Sequence, residues 1–362
     1  MNESLSAFPH EPERTISDLG WSDFFQGQCT AEDLENLLPA RVVSMHRGHV
    51  VVSTGSEEHL LPVADKGILR LNEQPAVGDW VLLEKSTMLP ARLLDRTSVF
   101  KRLAPGAGKG VQPIAANVDT VFIVSSCTEE FNLNRLERYL CLALDSGVEP
   151  VVVLTKADLA EDPQNYCRRA ETIRQGMPVM AVNGHDPESV KVLEPWCRPG
   201  QTIVMLGSSG VGKTTLLNAL NGSNIHKVGD VRKGDGKGRH TTTRRTLHVL
   251  PSGVLLVDVP GIRELQLHEC RDGIARAFAD ITELEQQCRF ADCSHENEPD
   301  CAIRMALQDG EVDPRRVDNY RKLLEEADEG LQAASGKQRR NAARAAIARR
   351  RGAGRKPSGK RR

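Results

Sequence analysis

The chain lacks any apolar run of the eighteen or so residues that a membrane span needs. Its opening stretch, MNESLSAFPHEPERTISDLG, lacks the basic-then-apolar order of a secretory leader. Neither membrane insertion nor export is expected, and cytoplasmic residence follows. Aromatic residues are scarce, at 4% of the chain, which argues against an extended stacking platform for single-stranded bases. The nine cysteines are an odd number, so they cannot all be paired in disulfides. No internal repeat is visible, which removes solenoids and propellers. Finally, the stretch from Lys337 to Arg362 contains no acidic residue at all.

That last absence hides behind a formal net charge of −1. Lys337–Arg362 holds twelve Lys and Arg, and without them 36 basic residues face 49 acidic ones, a body near −13 with a tail of +12. Such a tail suits a polyanion, RNA being the commonest in cytosol; a solvated end without a fixed partner is the plainer alternative. With 362 residues, 39% apolar and 27% charged, the chain is soluble and too long for one ordinary core. Six cysteines stand alone (Cys29, Cys127, Cys141, Cys167, Cys197, Cys270) and read as buried reduced thiols.

The texture changes along the chain. Residues up to about 37 carry few apolar clusters. From Ala40, ARVVSMHRGHVVVST, EEHLLPVA, VGDWVLLE and ARLLDRTSVF read as short strands between turns, a pattern that suggests a small barrel. An oligonucleotide-binding (OB) fold is one candidate among several small barrels. After the Gly-rich LAPGAGKGVQP the period becomes that of an α/β sheet: NVDTVFIVSS, VEPVVVLT, PVMAVNG and TIVML as buried strands, NRLERYLCLALD and KTTLLNAL as helices. TLHVLPSGVLLVDVPG adds a hairpin turned at Pro251-Ser252-Gly253. Beyond about residue 265 the chain reads as helical.

Gly207-Ser208-Ser209-Gly210-Val211-Gly212-Lys213-Thr214 satisfies G-x-x-x-x-G-K-[ST] between a strand and a helix, the setting of a phosphate-binding loop. Its glycines turn successive N–H groups inward, Lys213 neutralises β- and γ-phosphate, and Thr214, followed by Thr215, offers a hydroxyl to Mg²⁺. The stretch Thr155-Lys156-Ala157-Asp158 selects the base. A carboxylate at Asp158 accepts from guanine's ring N–H and exocyclic amine, which adenine cannot supply. Lys156 can lay its aliphatic stem over the ring. MAVNG, residues 180–184, fits a last base-side loop. Asp258, in DVPG, can hold Mg²⁺ through water, and the N–H of Gly261 can sense a γ-phosphate. GRHTTT, ending at Thr243, closes a stretch with five glycines from 222 to 238; one of its threonines would complete the Mg²⁺ shell, Thr242 being favoured over its neighbours.

Cys288-x4-Cys293-x-His295-x5-Cys301 gathers three thiols and an imidazole within fourteen residues. The set suits tetrahedral Zn²⁺ with no open position, hence a structural site that folds a short helical region. Redox chemistry is the competing reading.

The order of these motifs is unusual, because Asp158 precedes Gly207 by 49 residues. TKAD, VNG, GSSGVGKT, GRHTTT and DVPG in that sequence resemble a circularly permuted translation-factor-type GTPase. With VGDWV, AANVD and RLERYL upstream and the Cys/His cluster downstream, the chain resembles the ribosome small-subunit-dependent GTPase family (RsgA, also called YjeQ) over roughly residues 38–330. The resemblance implies an N-terminal OB β-barrel, a central α/β P-loop GTPase domain and a C-terminal helical zinc-binding domain. The expected division is an extension over 1–37, the barrel over 38–103, the GTPase domain over 104–265, the zinc-binding domain over 266–332 and a basic tail over 333–362. It further implies a monomeric GTP hydrolase that binds GTP and GDP with Mg²⁺, carries one Zn²⁺ and assists late maturation of the small ribosomal subunit, contacting its rRNA.

Two departures bear on rate and affinity. The family usually has Asn at the position of Thr155, and a threonine hydroxyl replaces only part of what an amide does. Ile262 follows DVPG where many GTPases place a water-orienting glutamine, so slow hydrolysis alone and stimulation by a partner are expected. His240 is a possible helper or a structural loop residue. A nucleotide-gated RNA-binding module with negligible turnover is the second reading, and an ATPase acting on small molecules the third. In this order DVPG leads directly into the zinc region while the base-reading half is joined to the barrel, which suggests that nucleotide state reorients the zinc region relative to the barrel.

Overall fold

The computed structural model describes residues 14–46, 48–63, 67–68, 71, 73–103, 111–221, 245–258, 267 and 270–329. They fall into two compact units. One comprises Met1–Phe100, Pro113–Asn132 and Gly147–Arg263; the other comprises Lys101–Gln112, Leu133–Ser146 and Glu264–Arg362.

The first unit opens with two short helices, α1 (Asp23–Gln26) and α2 (Ala31–Asn36). Thr30 caps α2 in a reciprocal box with Asp33, satisfying two backbone donors at once. Leu19 and Phe25 are buried, so this leading segment is packed rather than trailing. Strands β1 (Leu37–Met45), β2 (His49–Ser53), β3 (Glu58–Pro62), β4 (Trp80–Glu84) and β5 (Pro90–Leu93) follow. β1 serves two ladders: Leu37–Arg41 pairs with β4, and Arg41–Met45 pairs with β2 across a register shift between Val42 and Ser44. A shift of this kind bends a strand, and the bend curls the five strands around Ala40, Val42, Val50, Val52, Leu61, Val81 and Leu83.

β6 (Val99–Leu103) and β7 (Val111–Ala116) form a two-stranded ribbon flanking the Gly-rich stretch. The α/β region then runs β8 (Thr120–Ser126), α3 (Leu133–Asp145), β9 (Pro150–Thr155), α4 (Pro163–Glu171), β10 (Val179–Ala181), α5 (Pro187–Val190), β11 (Thr202–Leu206), α6 (Lys213–Leu220), β12 (Arg245–Val249) and β13 (Leu255–Asp258). In space the strands lie in the order β10-β9-β8-β11-β13-β12, parallel except for β12. Every residue of β8 and β9 is buried, as expected of central parallel strands with apolar centres, VFIV and PVVVL. The β12–β13 hairpin turns at Gly253, whose φ is 80°.

The sheet does not stop at β12. Ser44 and Met45 of β1 pair antiparallel with Thr246 and Arg245, and Ser44 Oγ donates to Arg245 O at 3.3 Å. The leading strands therefore continue the same sheet. Chain connectivity attaches them to the base-reading half, as the sequence indicates, but strand pairing attaches them to the opposite edge. Arg41 reinforces the join from a fully buried position. It donates to Leu19 O, to Gly78 O at 3.1 Å, to Asn117 O at 3.0 Å and to Thr202 Oγ1 on β11 at 2.8 Å. Burial lowers its pKa to about 10, which leaves it charged at neutral pH.

The second unit collects α3 with α7 (Arg271–Ala277), α8 (Ala279–Glu285), α9 (Ala302–Asp309) and a tenth helix, α10, over 314–329. α3 and α7 approach so closely that a Cβ on Gly273 would lie 2.3 Å from Cys141 O, which only glycine permits. Glu137 of α3 is fully buried and accepts from Arg315 and from Arg316, each at 2.9 Å, and from Asn319. Arg316 also grips Asp280 of α8, with both nitrogen–oxygen distances 2.9 Å. Of the six solitary cysteines, Cys127, Cys141, Cys167 and Cys270 are buried as expected, whereas Cys29 and Cys197 are half-buried. Burial pushes the Cys127 and Cys197 thiols up to about 12, which keeps them protonated.

Candidate functional site

β11 lies between β8, which precedes it in the chain, and β13, which follows it. Ligands of open α/β sheets bind beyond the carboxyl ends of the strands at such a reversal. The loop Gly207–Gly212 springs from that end of β11. A Cβ on Gly207 would lie 2.3 Å from Val124 O, so the backbone can turn there only without a side chain. Gly210 and Gly212 have φ of 83° and 95°, the left-handed conformations that let the loop fold its N–H groups inward. Ser209, Gly210 and Thr214 are exposed, Ser208, Gly212, Lys213 and Thr215 half-buried, and Val211 is buried as the anchor. Lys213 Nζ donates to Gly207 O at 2.8 Å and to Ser208 O, carbonyls with which a phosphate would compete.

The stretch Thr155-Lys156-Ala157-Asp158 lies at the carboxyl end of β9. Thr155 is buried and its hydroxyl contacts Ser125 O at 3.1 Å and Val211 O inside the phosphate loop. A Cβ added to Gly212 would lie 3.0 Å from the same Oγ1. Thr155 is thus committed to bracing the phosphate loop, the half of the asparagine's work that a hydroxyl can perform. Lys156 adopts a left-handed conformation, φ 58°, which turns the chain into a single helical turn over Ala157–Leu159 and leaves the Asp158 carboxylate exposed. The 180–184 loop joins from β10. Val182 N donates to Leu154 O at 2.8 Å, Ala157 N donates to Val182 O at 3.2 Å, and a Cβ on Gly184 would lie 3.3 Å from Thr215 Cγ2. Three segments far apart in the chain therefore converge on the amino end of α6. Asp258 ends β13; continuing the Ile203–Leu256 register places it level with Met205, two residues before Gly207. His240, Thr242, Gly261 and Ile262 lie outside the described residues, as does the basic tail.

The sequence left open which part of the amide's work the Thr155 hydroxyl keeps, because nothing local distinguishes a threonine aimed at a base from one aimed at a loop 56 residues away.

The cysteine cluster lies in the second unit. His295 Nδ1 is 3.5 Å from both Cys288 Sγ and Cys301 Sγ, those sulfurs are 3.9 Å apart, and Cys293 Sγ keeps all four atoms within 4.8 Å of one another. Tetrahedral zinc with ordinary bond lengths requires edges of about 3.6 Å for S···N and about 3.8 Å for S···S. The residues fit Zn²⁺, and four protein ligands leave no open position. His295 and Asp300 both have left-handed backbones, φ 62° and 56°, which fold the 288–301 loop back on itself. Glu298 stabilises that loop: its carboxylate accepts from Ser294 N and Oγ and from Glu296 N and Asn297 N, holding its pKa down at about 2.

A G-x-x-x-x-G-K-T loop braced against the Thr155–Asp158 turn, on a sheet threaded so that the second precedes the first, has the arrangement of a circularly permuted GTPase. Comparison with known proteins agrees. A family model described as RsgA GTPase matches residues 93–268. The chain is 46% identical over 312 residues to "Small ribosomal subunit biogenesis GTPase RsgA 2" of Vibrio parahaemolyticus, covering 86% of this chain and 85% of that one. It is 45% identical over 318 residues to the Mesorhizobium japonicum protein "Small ribosomal subunit biogenesis GTPase RsgA", covering 86% and 90%. Among solved structures, YjeQ from Thermotoga maritima superposes with a TM-score of 0.59 at 28% identity, covering 82% of this chain and 99% of that one. YloQ, described as a circularly permuted GTPase, gives 0.56 at 26% identity, covering 83% and 98%. The chain belongs to the RsgA GTPase family and is a GTP-hydrolysing enzyme.

Proposed function

We propose that this GTPase binds the small ribosomal subunit and assists its late maturation, hydrolysing GTP to GDP and phosphate when the subunit completes its active site. The observation that carries the nucleotide part is the Thr155 contact with Val211 O, because it joins the base loop to the phosphate loop as one site. In this reading Asp158 accepts from guanine, Lys156 covers the ring, and the N–H groups of residues 207–215 hold the phosphates with Lys213. Mg²⁺ is held by Thr214 directly and by Asp258 through water. Thr242, Gly261 and His240 complete the switch side. Replacing Asp158 by Asn removes a charged acceptor of two hydrogen bonds and is expected to weaken guanine nucleotide binding by about 10²–10⁴-fold. Unchanged affinity in a fluorescent-GDP titration would refute the base assignment.

The ribosomal part draws on the names of the relatives and on two features of this chain. The curled sheet over 37–93, with β1 shared between two ladders, supports reading this region as an OB barrel, and the +12 tail would supply phosphate contacts. Folded rRNA would be held by shape and backbone rather than by stacked bases. One Zn²⁺ bound by Cys288, Cys293, His295 and Cys301 organises the helical unit. The expected setting is the cytoplasm, with the protein monomeric; among the described residues no helix is long and apolar enough to cross a membrane. Phosphate release measured with and without purified small subunits tests the proposal. Acceleration supports it; equal appreciable rates would refute subunit stimulation, and negligible release in both would leave a nucleotide-gated RNA-binding module.

A further inference from the structure

The imidazole of His295 has two nitrogens with different surroundings. Nδ1 faces the cysteine sulfurs, whereas Nε2 points away from them and lies 3.3 Å from Glu285 Oε1, at the last turn of α8. The other oxygen of Glu285 accepts from Tyr320 OH at 2.7 Å. Tyr320 is buried on α10, its ring centroid 5.3 Å from that of Phe278. The next residue, Arg321, donates to His295 O at 2.9 Å. An unbroken chain of polar contacts thus runs from the sulfur cage through the imidazole and a carboxylate to a phenol on the final described helix.

We infer that Glu285 and Tyr320 are positioning residues for the metal, fixing His295 as the Nε2–H tautomer with Nδ1 free to ligate and tying metal retention to α10. The physical reason is general. A neutral imidazole ligates through the nitrogen that lacks hydrogen, and an acceptor at the other nitrogen selects that tautomer, orients the ring and raises its basicity. Glu285 performs this for His295. Its remaining oxygen would otherwise be free to rotate the carboxylate away, and the Tyr320 hydroxyl holds it in place. Arg321 holds the backbone of the same histidine, whose left-handed conformation needs such support. Glu285 and Tyr320 lie outside the Cys/His spacing, so the motif alone does not disclose them.

The inference rests on the zinc reading of the cluster, and the two can be tested separately. Zinc content of the full purified chain checks the reading; a wild-type chain that holds no zinc overturns both. Given one zinc per chain, transfer to a chromophoric chelator is timed for wild type, Glu285→Ala, Glu285→Gln and Tyr320→Phe. Tyr320→Phe retains the ring packed on Phe278 and removes only the hydroxyl. Glu285→Ala is expected to release zinc about 10–100-fold faster, Tyr320→Phe faster than wild type but less so. The double variant should release no faster than Glu285→Ala, because both residues act through one path. Cobalt(II) substitution gives an independent signature: its ligand-field bands should shift in the same direction in Glu285→Gln and Tyr320→Phe. Wild-type release rates in Glu285→Ala and Tyr320→Phe, or cobalt bands unmoved in the latter, would overturn the inference.

Discussion

The nucleotide end of the first unit and the helical second unit solve the same problem, placing distant segments together, by different means. Around the phosphate loop the positioning is done by backbone: parallel strands buried on both faces set the loops at one edge, and glycines let main chain meet main chain, as where Gly207 abuts Val124 O. In the second unit the positioning is done by charge. Glu137, fully buried, holds Arg315, Arg316 and Asn319, Arg316 holds Asp280, and four metal-type ligands close the 288–301 loop. The difference teaches where each unit is vulnerable. A sheet distributes its stability over many apolar contacts, whereas a unit of short helices concentrates it in a few polar groups, each costly to orphan.

Removing the metal should separate the two regions most sharply. Structural zinc sites contribute on the order of 10 kcal/mol of binding free energy that is folding free energy. Chelation, or Cys301→Ser, is expected to abolish hydrogen-exchange protection across residues 270–329 while leaving guanine nucleotide affinity nearly unchanged. A parallel loss of nucleotide binding would show that the contrast is false. Next in size is Glu137→Ala, which strands two arginines and should destabilise the second unit by about 3–5 kcal/mol. Urea titration followed by exchange in 270–329 reads that loss, and an effect below about 1 kcal/mol would mean that the charge network is ornamental. The smallest effect belongs to the sheet side. Thr155→Val keeps the volume and removes the hydroxyl, so the phosphate loop should lose about 1 kcal/mol of bracing and GDP affinity should fall about 5-fold. Unaltered affinity would show that backbone alone positions the loop, sharpening the contrast further.

Legibility in the sequence follows the same divide. The strand–loop–helix setting of residues 207–214, the turn at 155–158 and the gathering of Cys288, Cys293, His295 and Cys301 were readable because each is a local pattern with its own spacing. The alternation of strands and helices was readable from hydrophobic period, and so was the hairpin at Pro251–Gly253. What sequence could not show depends on pairings between remote segments. Nothing in RVVSM announces that Ser44 will lie beside Thr246, since register between strands 200 residues apart leaves no local trace. Nor does RLERYL reveal that Glu137 turns to α10 and that α3 groups with the carboxyl-terminal helices. Amphipathic spacing marks a buried face but not the partner that buries it.

The pairing of β1 with β12 has one more consequence. An outermost strand presents a row of open N–H and C=O groups, and proteins commonly guard such rows because any other extended chain can bind there. Here the leading strands occupy that row where Ser44 and Met45 meet Thr246 and Arg245. A shortened chain beginning after residue 103 would uncover it, and self-association through β12 would follow. The amino-terminal segment is therefore also a guard of this edge against aggregation.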